Sequence, residues 1–349
     1  MINRSISIGG IQVGKGSKPI IIAEVAQSHD GSLGTAHAYI DAIADTGVDI
    51  VKFQAHIASE ESTMDEGFRV EFSCQDKTRY DYWKRMQFSG EQWKGLVEHA
   101  HKRGLVFLCS VFSVKAVEML LRLGIPAWKV GSGDFSTPDL LDAMIKTKLP
   151  VLLSTGMSSY NEIEEVTEIL NKKDTPFALF QCTSRYPAPL EEVGLNVIDE
   201  MRLRFGCPVG LSDHSGSVFP SLAALVGGAD MIEVHVVFDK RVFGPDVAAS
   251  ISIDELVFIV KARDAFDTMN NHPVDKDSLA GSVANTKLLF SKSLAPVKAL
   301  KAGTVLEREM ITLKKPGTGI PFSELNNIIG QSLKRDVFPD RLLKWEEIV

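Results

Sequence analysis

The chain of 349 residues predicts the α/β class: a parallel (β/α)8 barrel followed by a small C-terminal module. One observation behind this is a rhythm. From Pro19 onward a short β-branched run, a polar residue at its C-terminal end, a loop and a helix-period segment closed by Gly or Pro return in that order. Another is the number of such runs, eight, which closes a parallel barrel. The third is that the rhythm stops near residue 270, where a polar, turn-rich stretch begins.

Taken in order, the initial ISIGGIQVG reads as a hairpin. The strand candidates are Ile20 to Val25, Ile50 to Gln54, Leu105 to Ser110, Ala127 to Gly131, Val151 to Ser154, Phe177 to Cys182, Val209 to Ser212 and Met231 to His235. Helical stretches lie between them, such as 35–45 before Gly47, 91–102 before Gly104 and 114–123 before Gly124, where the glycine just past the last turn is a stop signal. A long polar insertion, from about Ala55 to Phe88, separates the second strand from its helix. Long βα loops sit on the active rim of such barrels, so this one is a candidate lid. A last helix is expected near Ile253 to Met269. Residues 1–270 are thus read as the barrel with its hairpin, 271–287 as a linker, and 288–349 as a second module with strand-like runs at Ser293 to Val297 and Met310 to Lys314.

The composition, 44% hydrophobic and 24% charged, is that of an ordinary globular protein. A net charge of −7 and a pI near 5.7 offer no basic field to a polyanion, which argues against nucleic acid. The four cysteines, Cys74, Cys109, Cys182 and Cys207, have neither zinc-knuckle pairing nor the density of a secreted disulfide scaffold. No run suits a signal peptide, and none approaches the ~20 apolar residues of a membrane span, so a soluble cytoplasmic protein is expected.

Strand C-terminal ends face the active site in a parallel barrel, and here they carry Glu24, Lys52, Lys129, His214 and His235 after apolar runs. Taken singly, each also reads as a surface residue. Lys52 and Lys129 would sit partly desolvated and so want an anion, either a protein carboxylate or a substrate phosphate or carboxylate. Ser110, Ser132 and Ser154, at neighbouring strand ends, can donate to the same oxygens, although serines also simply mark loops. His214 and His235 end adjacent strands, where two imidazoles suit either a divalent Lewis acid or metal-free acid–base work. Glu24, expected opposite them, reads as a third ligand or as a base. Asp246 in the Gly-Pro-Asp loop adds a carboxylate for sugar hydroxyls.

With its markers IIAEVAQSHDGS, DIVKFQ, KVGSGD, LSTGM, QCTSRYP, GLSDHS, EVH, GPD and KKPGTGI, the chain resembles the sialic acid synthase (N-acetylneuraminate synthase) family nearly end to end. That family includes legionaminic and pseudaminic acid synthases and spore coat polysaccharide enzymes. The resemblance implies a TIM barrel with a C-terminal SAF (antifreeze-like, β-clip) domain, and a condensation of phosphoenolpyruvate with an N-acylated hexosamine aldehyde that releases phosphate by C–O cleavage. It implies phosphoenolpyruvate binding by Lys52, Ser110, Lys129, Ser132, Ser154, Ser184 and Ser212, and Mn²⁺ or Mg²⁺ on His214 and His235. It also implies sugar binding by Gln54, Asp134, Tyr186, Asp246 and Lys315, with Glu24 helping to position or deprotonate water. A domain-swapped homodimer, the SAF module reaching over the partner barrel, is implied as well. Departures from the family pattern cluster on the sugar side and its flanks: Ser28, Val111 and Ser184 replace the usual Asn, Pro and Asn, and Cys74 or a neighbour falls where an Asn is usual. Asp134 stands where Glu is usual, and Lys315 replaces an Arg, losing bidentate geometry. The same chemistry on a different sugar is the expectation. The rivals are a Schiff-base aldolase using Lys129 or Lys52, and a non-catalytic sugar-binding or ice-binding protein.

Overall fold

The computed structural model describes residues 5–70 and 72–349. Residues 1–4, which entered the search for a leader, and residue 71 of the insertion lie outside the described residues. The chain divides into two compact units, one ending at Asn271 and one beginning at His272.

The first unit is built on strands β1 (Ile20–Ala26), β2 (Ile50–Ala55), β3 (Val106–Val111), β4 (Trp128–Val130), β5 (Val151–Ser154), β6 (Phe177–Cys182), β7 (Val209–Asp213) and β8 (Met231–Val237). Each pairs in parallel with the next, and β8 pairs with β1, so the sheet closes on itself. The strands are buried on both faces, which is why they read as continuous apolar runs. Their period of two sorts the side chains. Ile21, Ala23 and Val25 pack between sheet and helices. Ile20, Ile22, Ile50, Leu108, Ala127, Leu152, Phe180 and Met231 fill the barrel, joined by Ile6, Ile8 and Val13 of the N-terminal hairpin. Two residues further along these interior rows come Glu24, Lys52, Ser110, Lys129, Ser154, Cys182 and Glu233, all buried. The interior is therefore apolar in depth and polar at its C-terminal end. Gly210 leaves the space that the Phe180 ring uses, since a Cβ there would lie 2.8 Å from that ring and 2.6 Å from the Met231 carbonyl.

The insertion after β2 carries two helices, Ala58–Glu61 and Arg79–Met86, the second capped by Thr78. Arg85 ties it down, its Nη2 2.7 Å from Asp76 Oδ2 and its Nη1 2.6 Å from Asp30 Oδ1 in the loop after β1.

In the second unit, Ser293–Pro296 pairs antiparallel with Ile311–Lys314 over a core of Leu294, Leu306, Ile311, Ile328 and Leu343. The stretch expected to be a linker differs from that reading, because it carries helices Lys276–Ser282 and Ala284–Phe290. Asp275 accepts from Ser278 N at 2.6 Å, so one of its turn-forming residues serves as an N-cap instead. Among the described residues, no helix is long and apolar enough to cross a membrane.

Candidate active site

The strand ends and the insertion enclose a cavity of about 490 Å³ in the first unit. It is lined by Glu24, Lys52, Gln54, Ser110, Lys129, Ser132, Asp134, Ser154, Ser184, Tyr186, Ser212, His214, His235 and Asp246. Every expected site residue of the first unit is thus gathered there; the one remaining is Lys315. That residue belongs to the second unit, with its ammonium 4.8 Å above the Phe290 ring.

Lys52 and Lys129 are each 2% exposed, so neither ammonium has water to rely on. Lys52 Nζ lies 2.9 Å from Glu24 Oε2 as an ion pair and donates to Ser110 Oγ at 3.1 Å. Both lysines stand 3.6 Å from Glu233 Oε1, which also accepts from Ser212 Oγ at 3.2 Å. Lys129 hydrogen-bonds Ser154 and sits 4.9 Å over the Phe180 ring. The two lysines differ electrostatically because their partners differ. Burial opposes the charge on both. For Lys52 it is outweighed by Glu233 and Glu24, and the pKa rises. Lys129 has no carboxylate as close as Glu24 is to Lys52, burial wins, and the pKa falls below the ordinary lysine value. Glu233 is pushed up by burial but pulled further down by Lys129 and Lys52, so it is an anion.

His214 and His235 follow from adjacent strands with ring centroids 5.2 Å apart. His214 Nδ1 faces the Thr183 carbonyl at 3.0 Å, which leaves Nε2 to accept from the Tyr186 hydroxyl at 3.1 Å. Burial opposes its protonation, but Cys182, whose Sγ is 3.7 Å from Nδ1, raises the pKa overall. Burial pushes His235 down to about 4, so its imidazole is neutral, and its Nδ1 is buried without a hydrogen-bond partner among the described residues. His235 Nδ1 can therefore offer a lone pair to a divalent cation that takes further oxygens from substrate or water, and His214 offers a second where the Tyr186 hydroxyl gives up its Nε2. Among the described residues no group of three or more His, Cys, Asp or Glu is arranged around such an ion.

On the outer side, Arg69 of the insertion pairs with Asp246 at 3.1 Å and lies 4.4 Å above the Tyr186 ring. Burial, then Glu61, push the Asp134 carboxyl up to about 6. Ser132 Oγ accepts from Gly156 N at 3.1 Å and faces Cys182 Sγ at 3.6 Å, so it braces loops rather than meeting a lysine. One expectation is corrected: Glu24 is not opposite the histidines but beside His235, its register partner across the β8–β1 seam. Sequence reasoning missed Glu233, the carboxylate shared by both lysines. The signal was present, since Met231, Glu233 and His235 alternate along one strand and must face the same way. Gln27, His56 and Glu61 were also missed.

The NeuB family model matches residues 39–273, and the SAF domain model matches residues 291–349. The N-acetylneuraminate-9-phosphate synthase of Homo sapiens is 31% identical over 94% of this chain and 92% of its own. The N,N'-diacetyllegionaminic acid synthase of Campylobacter jejuni is 30% identical over 94% of this chain and 99% of its own. The crystal structure of N-acetylneuraminic acid synthetase from Leptospira borgpetersenii covers 82% of this chain and 97% of its own, with 27% identity and a TM-score of 0.71. Motif order, closed barrel and whole-length similarity agree, and the chain belongs to the NeuB family of nonulosonic acid synthases, with a C-terminal SAF domain.

Proposed function

We propose that the chain condenses phosphoenolpyruvate with the aldehyde of an N-acylated hexosamine, giving a sialic-acid-type nonulosonic acid and phosphate. The observation that carries this reading is the pair of buried lysines, of which Lys129 lacks a carboxylate of its own. A phosphate or carboxylate is what such an ammonium selects. The relatives' names supply the acceptor class, since those proteins are neuraminate and legionaminic acid synthases.

On this reading Lys52 and Lys129, with Ser110, Ser154 and Ser212, hold the phosphate and carboxylate of the enolpyruvate, and Ser132 and Ser184 complete the wall. The C2=C3 electron pair forms the new bond from C3 to the aldehyde carbon, the aldehyde C=O π bond breaks and its oxygen takes up a proton, and C2 is left electron-poor. Water adds at C2 and gives one proton to Glu24; the C2–O bond to phosphate then breaks as the new C2 hydroxyl loses its proton to become the ketone, and phosphate departs with its bridging oxygen. Gln54, Asp134, Tyr186 and Asp246 face the sugar. His214 and His235 would hold Mn²⁺ or Mg²⁺, which supplies Lewis acidity at a carbonyl oxygen.

Phosphate release tests this directly. Phosphoenolpyruvate should release phosphate with at least one of N-acetylmannosamine, its 6-phosphate and the diacetamido-trideoxyhexoses, and release none without an acceptor. Silence with all of them sinks the reading. The depressed pKa of Lys129 also suits an imine-forming amine. Inactivation by borohydride only in the presence of substrate would favour that alternative.

A pH dependence follows from Lys129. A bound anion favours the ammonium, so binding raises its pKa and takes up a proton. The KM for phosphoenolpyruvate should be low below the pKa of the free enzyme and climb as pH rises through it, and because that pKa is depressed the climb should start below the ~10.4 of an ordinary lysine. A KM that stays flat to about pH 10 contradicts this.

A further inference from the structure

Glu24 is the end of a row of side chains that reaches into the insertion. Gln54 Nε2 donates to Glu24 Oε1 at 2.6 Å, and Gln27 Nε2 donates to Gln54 Oε1 at 2.7 Å. The same Gln27 nitrogen lies 2.8 Å from His56 Nε2, and His56 Nδ1 lies 2.5 Å from Glu61 Oε1. Each amide has one donating and one accepting edge, so the row has a direction. Starting from Glu24, a carboxylate can only accept, so Gln54 must turn its NH₂ inward and its carbonyl toward Gln27. Gln27 must then present its NH₂, whose second hydrogen meets His56 Nε2 at 2.8 Å, so that nitrogen accepts, and its 3.4 Å approach to Gln54 Oε1 is the weaker contact. Starting from Glu61, the other carboxylate also only accepts, so the His56 proton sits on Nδ1 and the lone pair on Nε2. Both ends demand the same arrangement, which fixes the orientation of both amides.

The ring at the centre of the row has little room to turn. His56 is buried and stacked between Trp83, at 4.0 Å and 18°, and Phe112, at 4.5 Å and 6°. Glu61 is held in turn by the Ile57 amide, which donates to its Oε2 at 3.2 Å. A row reversed end for end would set the Gln54 carbonyl against the Glu24 carboxylate, two acceptors facing each other in a buried site.

We propose that His56 and Glu61 are positioning residues that, through Gln27 and Gln54, hold Glu24 as an aimed carboxylate. This rests on the proposed role of Glu24 in the condensation. Glu61 and Trp83 belong to the insertion, so its seating over the barrel also sets the direction of the row.

Two measurements on the full-length protein test it. Nitrogen-15 spectra of the histidine rings, with the His56 signal identified by its loss in His56→Gln, should show the Nδ1–H tautomer, and an Nε2–H tautomer overturns the proposal. In kinetics, His56→Leu should lower kcat about tenfold or more while the KM for phosphoenolpyruvate stays within about twofold. His56→Gln should recover most of the loss, because its amide can give an N–H to Glu61 and a carbonyl to Gln27. An unchanged kcat in His56→Leu, or no recovery in a well-folded His56→Gln, counts against the row. If His56→Leu folds poorly, the tautomer decides alone. A wild-type chain that releases phosphate with no acceptor sinks the proposed reaction instead, and the tautomer again decides the row by itself.

Discussion

Lys129→Met is expected to lower kcat/KM for phosphoenolpyruvate by about three orders of magnitude while leaving the protein as stable as before. A hydrogen bond to a charged group contributes about 1.5–3 kcal/mol, and an ammonium sharing two of them with a buried anion gives roughly two to four decades. Stability should hold because Lys129 contributes little to the empty site. Its nearest carboxylate is 3.6 Å away, burial depresses its pKa, and a methionine of similar length can lie over Phe180 in its place. Glu233 is not orphaned, since Lys52 and Ser212 remain. Lys52→Met differs, because it strips Glu24 of the cation 2.9 Å away, and breaking such a buried pair costs about 3–5 kcal/mol. Steady-state kinetics and thermal unfolding separate the two variants. If Lys129→Met keeps kcat/KM within about tenfold of wild type, the buried ammonium does not bind the anion.

His235→Ala is expected to lower turnover at least about a hundredfold and to remove any response to added divalent metal. The ring is neutral, and its Nδ1 is a buried nitrogen with no protein partner among the described residues, so the imidazole costs desolvation that no described contact offsets. Wild-type protein stripped with EDTA should match the variant and recover with Mn²⁺ or Mg²⁺. Full activity after stripping would mean that the two histidines act without an ion.

Much of the barrel was legible because a parallel strand buried on both faces must be a continuous apolar run, and a glycine after a helix is a local stop. Val151–Ser154 and Phe177–Cys182 match the expected strands residue for residue. Glu24, Lys52 and Lys129 were legible as rim residues for the same reason, each being the first polar side chain at the end of an apolar row. Glu233 was passed over because His235, two residues later, took the position at the strand end. The helices at 276–290 were hidden by polar, turn-forming residues that the fold uses as a cap and as exposed helix faces.

The sequence by itself determined the number and order of strands, the polar rim and the family, since these depend on local periodicity and on motif order. Only the tertiary structure decided that Glu24 stands beside His235 rather than opposite it, because that depends on ring closure between the first and last strands. It alone decided that Lys52 has a carboxylate of its own while Lys129 does not, because a pKa is set by distances of a few ångströms and by lost water. The row from Glu61 to Glu24 likewise joins residues up to 37 positions apart, and hydrogen-bond direction exists only once donors and acceptors face one another.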